Sequence, residues 1–363
     1  MPRPRTVYRG KRKYSWIITL AAMLLVIAIA LAVWLFYYLQ RYIVYDKDGL
    51  RLDLSAQREE ILRSGAEEPA ATPAAKPVDV EIVVEQRDYS DIRTDAGGNL
   101  RPIHGIFVPA SEVKEQTLKF YAENMGDFDA LVLELKAADG FLRWHSGAAL
   151  ADSFAVNGTL ELRELLEPLK ENGVCLIAQI SALADCAMAQ RDAPIALKNT
   201  VTGQPFVGAD GLSYLDPYSD STRDYLLALL TELQDMGFDE VLLSGVNCPD
   251  SDALQFSKVM TQTPDSVTAV SSLALWLREQ ADRLDLTLSA LIDADALQSE
   301  RGAAGQNAVL FFKAFDRVAF RTDFDSFDAD VAALEAALGG HSDTRFVAVT
   351  EDYTPELASY IVK

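Results

Sequence analysis

Leu226, Leu229, Leu230 and Leu233 fall at the i, i+3, i+4, i+7 spacing of one buried helix face, with Ser219 or Asp220 placed to cap its start and Gly237 just past its end. Val241, Leu242 and Leu243 follow as an apolar run too short for a helix and bounded by Gly245 and Pro249, which suits a strand buried on both faces. The same alternation runs along most of the chain. Strands are expected at 103–108, 130–135, 174–180, 286–291, 318–321 and 346–349, and further helices at 111–125, 160–171, 266–283, 306–314 and 331–338. Strands separated by helices imply a parallel sheet with right-handed crossovers. Seven such strands predict an α/β fold of the TIM-type (β/α)8 barrel kind, incomplete at the eighth strand unless residues 80–84 or the tail 355–363 supply it.

The beginning of the chain has a different pattern. Arg3, Arg5, Arg9, Lys11, Arg12 and Lys13 precede an uncharged run from Tyr14 to Gln40. Its apolar core, 16–38, is long enough to cross roughly 30 Å of hydrocarbon. The basic flank places the N-terminus in the cytoplasm and everything after Arg41 on the other side of the membrane. A cleaved signal peptide is the rival reading, since Ala28, Ala30 and Ala32 offer small residues. Its apolar region would normally end after about 7–15 residues, whereas this one runs on through Tyr38, so an uncleaved anchor is expected. The predicted order is a basic cytoplasmic tail at 1–15, a single-pass transmembrane anchor at 16–38, and a juxtamembrane segment with an Ala/Pro-rich linker at 39–77. An extracytoplasmic barrel domain follows at 78–363. Residues 42–54, with Asp46-Lys47-Asp48-Gly49 at their centre, suit a short hairpin.

Charge narrows the partners. With 33 basic and 54 acidic residues and a net charge of -21, bare nucleic acid is excluded. Cys175, Cys186 and Cys248 are an odd number without metal spacing, and the three histidines, His104, His145 and His341, do not form a ligand motif. No nucleotide, haem or metal signature occurs, so neither cofactor nor metal is expected.

Several short stretches carry a family likeness. Gly105-Ile106-Phe107-Val108, Val132-Leu133-Glu134-Leu135-Lys136 with Asp139-Gly140, and Leu176-Ile177-Ala178-Gln179-Ile180 stand at strands one to three. Leu212-Ser213-Tyr214-Leu215-Asp216-Pro217 and Gly237-Phe238-Asp239-Glu240-Val241 flank the fourth helix. From about residue 103 onward the chain resembles the glycosidase-like barrel domain of bacterial envelope proteins, related to α-amylase-type barrels. The resemblance implies a membrane-tethered domain acting on envelope or extracellular polysaccharide. It also implies an Asp and an Arg at strand four and an Arg at strand three, where this chain has Ser244, Asn247 and Gln179. A serine cannot act as the carboxylate of a two-carboxylate glycosidase, so a degenerate active site is expected.

Barrel enzymes carry catalytic groups at the C-terminal strand ends. Glu134, Asp139, Asp293 and Glu351 are the candidate catalytic carboxylates. Glu134 leads, because it interrupts an apolar strand and by alternation shares a face with Lys136; the structural alternative is a buried Glu–Lys pair. Lys136, Trp144, Gln179, Tyr214, Tyr218, Ser244 and Asn247 are the candidate substrate-binding residues, the aromatics as platforms for sugar rings. Asp216 suits a turn better than catalysis, and the long segment 193–211 is placed to cover the mouth. Two functions follow. One is a hydrolase with a carboxylate pair rearranged around Glu134. The other is an inactive barrel that binds glycan or an unidentified protein at the envelope.

Overall fold

The computed structural model describes residues 23–24, 43–46, 49–52, 100–148, 160–192, 194–258, 266–292, 304–321 and 342–363. The chain divides into two units, Met1–Glu85 and Gln86–Lys363. In the first, β1 (Ile43–Asp46) and β2 (Gly49–Leu52) pair antiparallel with Asp46 opposite Gly49. That register leaves a two-residue connection, the shortest that a hairpin commonly uses. The expected anchor lies outside the described residues apart from Met23 and Leu24, as do residues 80–84 and the expected helix at 331–338. Among the described residues no helix is long and apolar enough to cross a membrane.

The second unit is a closed parallel barrel of eight described strands. In chain order they are β3 (His104–Val108), β4 (Ala130–Lys136), β5 (Cys175–Ser181), β7 (Glu240–Ser244), β9 (Thr287–Ile292), β10 (Arg317–Arg321), β11 (Phe346–Thr350) and β12 (Tyr360–Val362). The described helices are α1 (Glu115–Glu123), α2 (Leu162–Glu171), α3 (Cys186–Arg191), α4 (Asp220–Met236), α5 (Ser266–Leu284), α6 (Ala308–Ala314) and the short α7 (Ser342–Arg345). Two short strands, β6 (Lys198–Asn199) and β8 (Leu254–Gln255), form a separate antiparallel ribbon. The eighth barrel strand is the tail: β12 lies between β11 and β3, with Tyr360 opposite both Ala348 and His104. The barrel is therefore complete within Gln86–Lys363. In α4, Leu226, Leu229, Leu230 and Leu233 are buried, Ser219 stands at the N-cap, and Gly237 ends the helix at φ 96°, where a side chain would be strained.

Alternation along the strands sorts the side chains into two layers. Ala130, Val132, Ile177, Leu242, Ala319, Val347 and Ile361 fill the inside of the barrel. Leu131, Leu133, Leu176, Val241, Val318 and Phe346 pack outward under the helices. The inside is not apolar throughout. Near its base Arg317 donates to Glu240, and Ser289 donates to the other carboxylate oxygen. Arg317 also reaches the carbonyls of Thr344 (3.1 Å) and Arg101 (2.6 Å). Burial pushes the Glu240 carboxyl above its usual range, against the opposing pull of Arg317 and Ser289.

A repeated dipeptide holds the strand entrances. Phe128-Asp129, Phe238-Asp239 and Phe315-Asp316 each stand directly before a barrel strand. Asp129 donates its N–H to the His104 carbonyl (3.0 Å) and accepts the His104 N–H on its carboxylate (2.8 Å). Asp239 does the same with Leu176 (2.9 and 2.8 Å), and Asp316 with Leu288 (2.8 and 2.9 Å). Each carboxylate thus extends the ladder by one bond where the preceding strand begins. Bonds to an ionised acceptor contribute about 1.5–3 kcal/mol apiece.

Candidate functional site

The C-terminal ends of the strands surround a cavity of about 180 Å³. It is lined by Phe107, Glu134, Gln179, Leu242, Leu291, Arg321, Val349, Ile361 and Lys363. The polar members follow from strand phase. Val132 faces inward, so Glu134 does too; Ile177 sets the phase for Gln179, Ala319 for Arg321 and Ile361 for Lys363. Glu134 and Gln179 stand opposite each other across β4 and β5. The Glu134 carboxylate accepts the Ala110 N–H (2.9 Å), which fixes it against the loop after β3. The Lys363 ammonium lies 5.6 Å from the centre of the Phe107 ring. Partial burial first, and then the neighbouring Arg321 guanidinium, hold Lys363 below the usual lysine range.

Lys136 does not share this cavity. The β4–β5 register shifts between Glu134, opposite Gln179, and Lys136, opposite Ile180. The irregularity turns Lys136 out of the barrel, as a β-bulge does when it breaks strand alternation. It is wholly buried, paired with Asp185 (2.8 Å), bonded to the Ser181 carbonyl, and 5.8 Å from the centre of the Tyr225 ring. Asp185 also caps α3 through the Met188 N–H (2.9 Å) and accepts the Tyr225 hydroxyl (3.1 Å). Burial, then Asp185, push the Tyr225 phenol well above its usual range. Gly140 (φ 87°) leaves the room that Asp185 occupies: a Cβ there would lie 2.1 Å from its Oδ1. The expected Glu134–Lys136 pair is replaced by two separate arrangements, one at the mouth and one under the helices.

The aromatic candidates are buried by their own partners. Trp144 is 2% exposed and donates its indole N–H to Glu232 (2.9 Å), which also accepts from Ser146 (2.9 Å) and the Ala148 N–H (3.0 Å). Tyr214 donates to Asp210 (2.6 Å), and burial together with that carboxylate raises its phenol above the usual range. Tyr218 packs edge-on against Phe256 at 5.7 Å. Asp216 holds a turn, accepting the N–H groups of Tyr218 (2.9 Å) and Ser257.

The remaining candidates are dispersed. Asp139 sits in the turn after β4: its carboxylate accepts the Phe141 N–H (3.1 Å) and its carbonyl accepts the Ala187 N–H (3.1 Å). Ser244 ends β7 opposite Ser181, and half-buried Asn247 follows; neither lines the cavity. Glu351 is exposed and also outside the lining. Asp293 lies outside the described residues. The segment 193–211 is bridged by Ala196 to Leu215, Lys198 to Pro205 and Val207 to Ser213, and no described residue of it lines the cavity. Glu134 and Gln179 are the sequence candidates that the fold brings together. Arg321 and Lys363 join them, and the inward phase of Ala319 and Ile361 is the signal that could have found them.

A (β/α)8 barrel with polar side chains gathered at its C-terminal mouth defines a TIM-type barrel with its candidate site where such barrels carry theirs. Residues 105–320, more than half of the chain, match the family described as "Putative glycosyl hydrolase domain", and the chain belongs to that family. No curated protein matches the chain. Among solved structures, a hypothetical protein from Ruminiclostridium thermocellum is 20% identical, with a TM-score of 0.45 over 51% of this chain and 96% of that one. A glycoside hydrolase family 20 β-N-acetylglucosaminidase is 16% identical, with a TM-score of 0.42 over 69% of this chain and 53% of that one. The glycoside hydrolase domain of PelA from Pseudomonas aeruginosa is 19% identical, with a TM-score of 0.41 over 70% and 86%.

Proposed function

We propose that this chain is a membrane-anchored, extracytoplasmic barrel that binds an envelope or extracellular polysaccharide at its mouth, with its hydrolytic site degenerate. The observation that carries this reading is the cavity lining. Two-carboxylate hydrolysis needs a pair of acids flanking the bond, roughly 5–10 Å apart, and among the described residues that line the cavity Glu134 is the one acid. Ser244 stands where the family resemblance implies a carboxylate. The hydrogen-bonding side chains of Gln179 and Glu134 beside the apolar wall of Phe107, Leu242 and Leu291 suit the mixed surface of a sugar. The anchor rests on the apolar run 16–38 and its basic flank, and release of the chain from membranes by alkaline extraction would remove it.

The test is incubation of the full-length chain with purified envelope polysaccharides, scored for co-sedimentation and for release of reducing ends, beside Glu134→Gln. Binding without release is expected, with the variant's affinity within about 1 kcal/mol, or about fivefold, of the parent. Release that disappears in the variant would instead establish a hydrolase with Glu134 at its centre.

A further inference from the structure

Arg321 and Lys363 enter the cavity from β10 and from just beyond β12, two strands separated by β11. Among the described residues no carboxylate lies within ion-pair distance of either side chain. The arginines deeper in the barrel and under its helices are occupied: Arg317 by Glu240, Arg278 by Asp282 and Asp316, and Arg345 by the carbonyls of Asp316 and Phe315. Glu134, the one acid among the described lining residues, uses a carboxylate oxygen on the Ala110 N–H. The described side chains of the lining therefore carry two positive charges against one negative, with Glu351 acting on Lys363 from outside the lining, in a chain whose net charge is -21. Both residues are exposed at the mouth, where an anion placed between the two cations offsets their mutual repulsion.

Neutral hydroxyls need no such pair. We propose that the mouth selects a sugar bearing an anionic substituent, a carboxylate or a sulfate ester, held between the Arg321 fork and the Lys363 ammonium. Arginine and lysine donors to an ionised oxygen make the shorter and stronger class of hydrogen bond. At about 180 Å³ the cavity is below the roughly 300–1,000 Å³ of sites that enclose a whole drug-sized ligand, so it takes one group from a chain lying across the mouth. Lys363 stays over the Phe107 ring, while Gln179 remains to bond a hydroxyl.

This inference rests on the reading of the mouth as a polysaccharide site, and the two are separable. Calorimetry on the full-length chain would compare four probes: a galacturonate oligomer, its carboxyl-reduced neutral counterpart, a sulfated form of that counterpart, and free galacturonate. At least one acidic oligomer should bind about tenfold or more tighter than the neutral one. The preference should weaken with added salt and vanish in Arg321→Gln/Lys363→Gln, while Arg321→Lys keeps part of it. Whichever acidic oligomer binds identifies the substituent. Equal binding of neutral and acidic oligomers, or a preference that survives the double variant, would overturn the inference and leave the polysaccharide reading standing. Free galacturonate binding the parent but not the double variant, with no oligomer bound, would keep the inference and remove the polysaccharide reading. No binding of any probe removes both.

Discussion

Asp185→Asn in the full-length chain is expected to lower stability by about 3–5 kcal/mol, because it leaves a fully buried ammonium without its counter-charge. Asparagine keeps the two other duties of this residue. It can still cap α3 and still face the Tyr225 hydroxyl, so the loss isolates the charge. Pairing it with Lys136→Met should recover most of that loss, since replacing both members of a buried pair by matched uncharged groups is often neutral. Urea denaturation of the three proteins decides the matter. A single variant within about 1 kcal/mol of the parent would mean that the Lys136–Asp185 pair contributes no more than an exposed one.

Arg317→Met should cost a similar amount, about 3–5 kcal/mol, for the complementary reason. It strips the guanidinium from Glu240, 2% exposed inside the barrel, and frees the carbonyls of Thr344 and Arg101 that the same side chain holds. Glu240→Gln is also expected to cost a few kcal/mol, because it leaves the buried Arg317 guanidinium without its counter-charge, although Arg317 keeps the Thr344 and Arg101 carbonyls and the amide still accepts from Ser289. Native-state hydrogen exchange is the informative readout: β7, β9 and β10 should lose protection first in Arg317→Met. Uniform loss around the ring would show that the pair does not act locally.

Seven of the eight strands and most of the described helices were readable in the sequence, because a strand covered on both faces leaves an apolar run and an amphipathic helix leaves its stripe. β12 was harder. Tyr360-Ile361-Val362 is too short to show a period, and only pairing with both β11 and β3 makes it a strand. At the candidate site, strand phase leads Glu134 and Gln179 to one cavity. The same rule fails two residues later at Lys136, since nothing in Glu134-Leu135-Lys136 marks the shift in register. Trp144 and Tyr214 suit sugar platforms in the sequence because loop aromatics have no visible partner there. Their partners, Glu232 and Asp210, become evident only once the chain is folded. The Phe-Asp pairs before β4, β7 and β10 gain their meaning only from the fold, which decides which N–H lies opposite each carboxylate.

The closing of the ring by β12 bears on how the domain comes into being. The Ile103 N–H bonds Ser359 Oγ at 3.2 Å, partners 256 positions apart, and Tyr360 pairs with His104 next to them. On a ribosome or a translocation channel, the first barrel strand must wait for nearly the whole domain to emerge before its second edge is covered. Contacts so distant in sequence form slowly, and an uncovered edge invites pairing with another chain in the interval. The closing strand also delivers Lys363 to the cavity, so a nascent or C-terminally clipped chain has no finished mouth. Covering the first strand's edge and finishing the cavity wall thereby fall in one step.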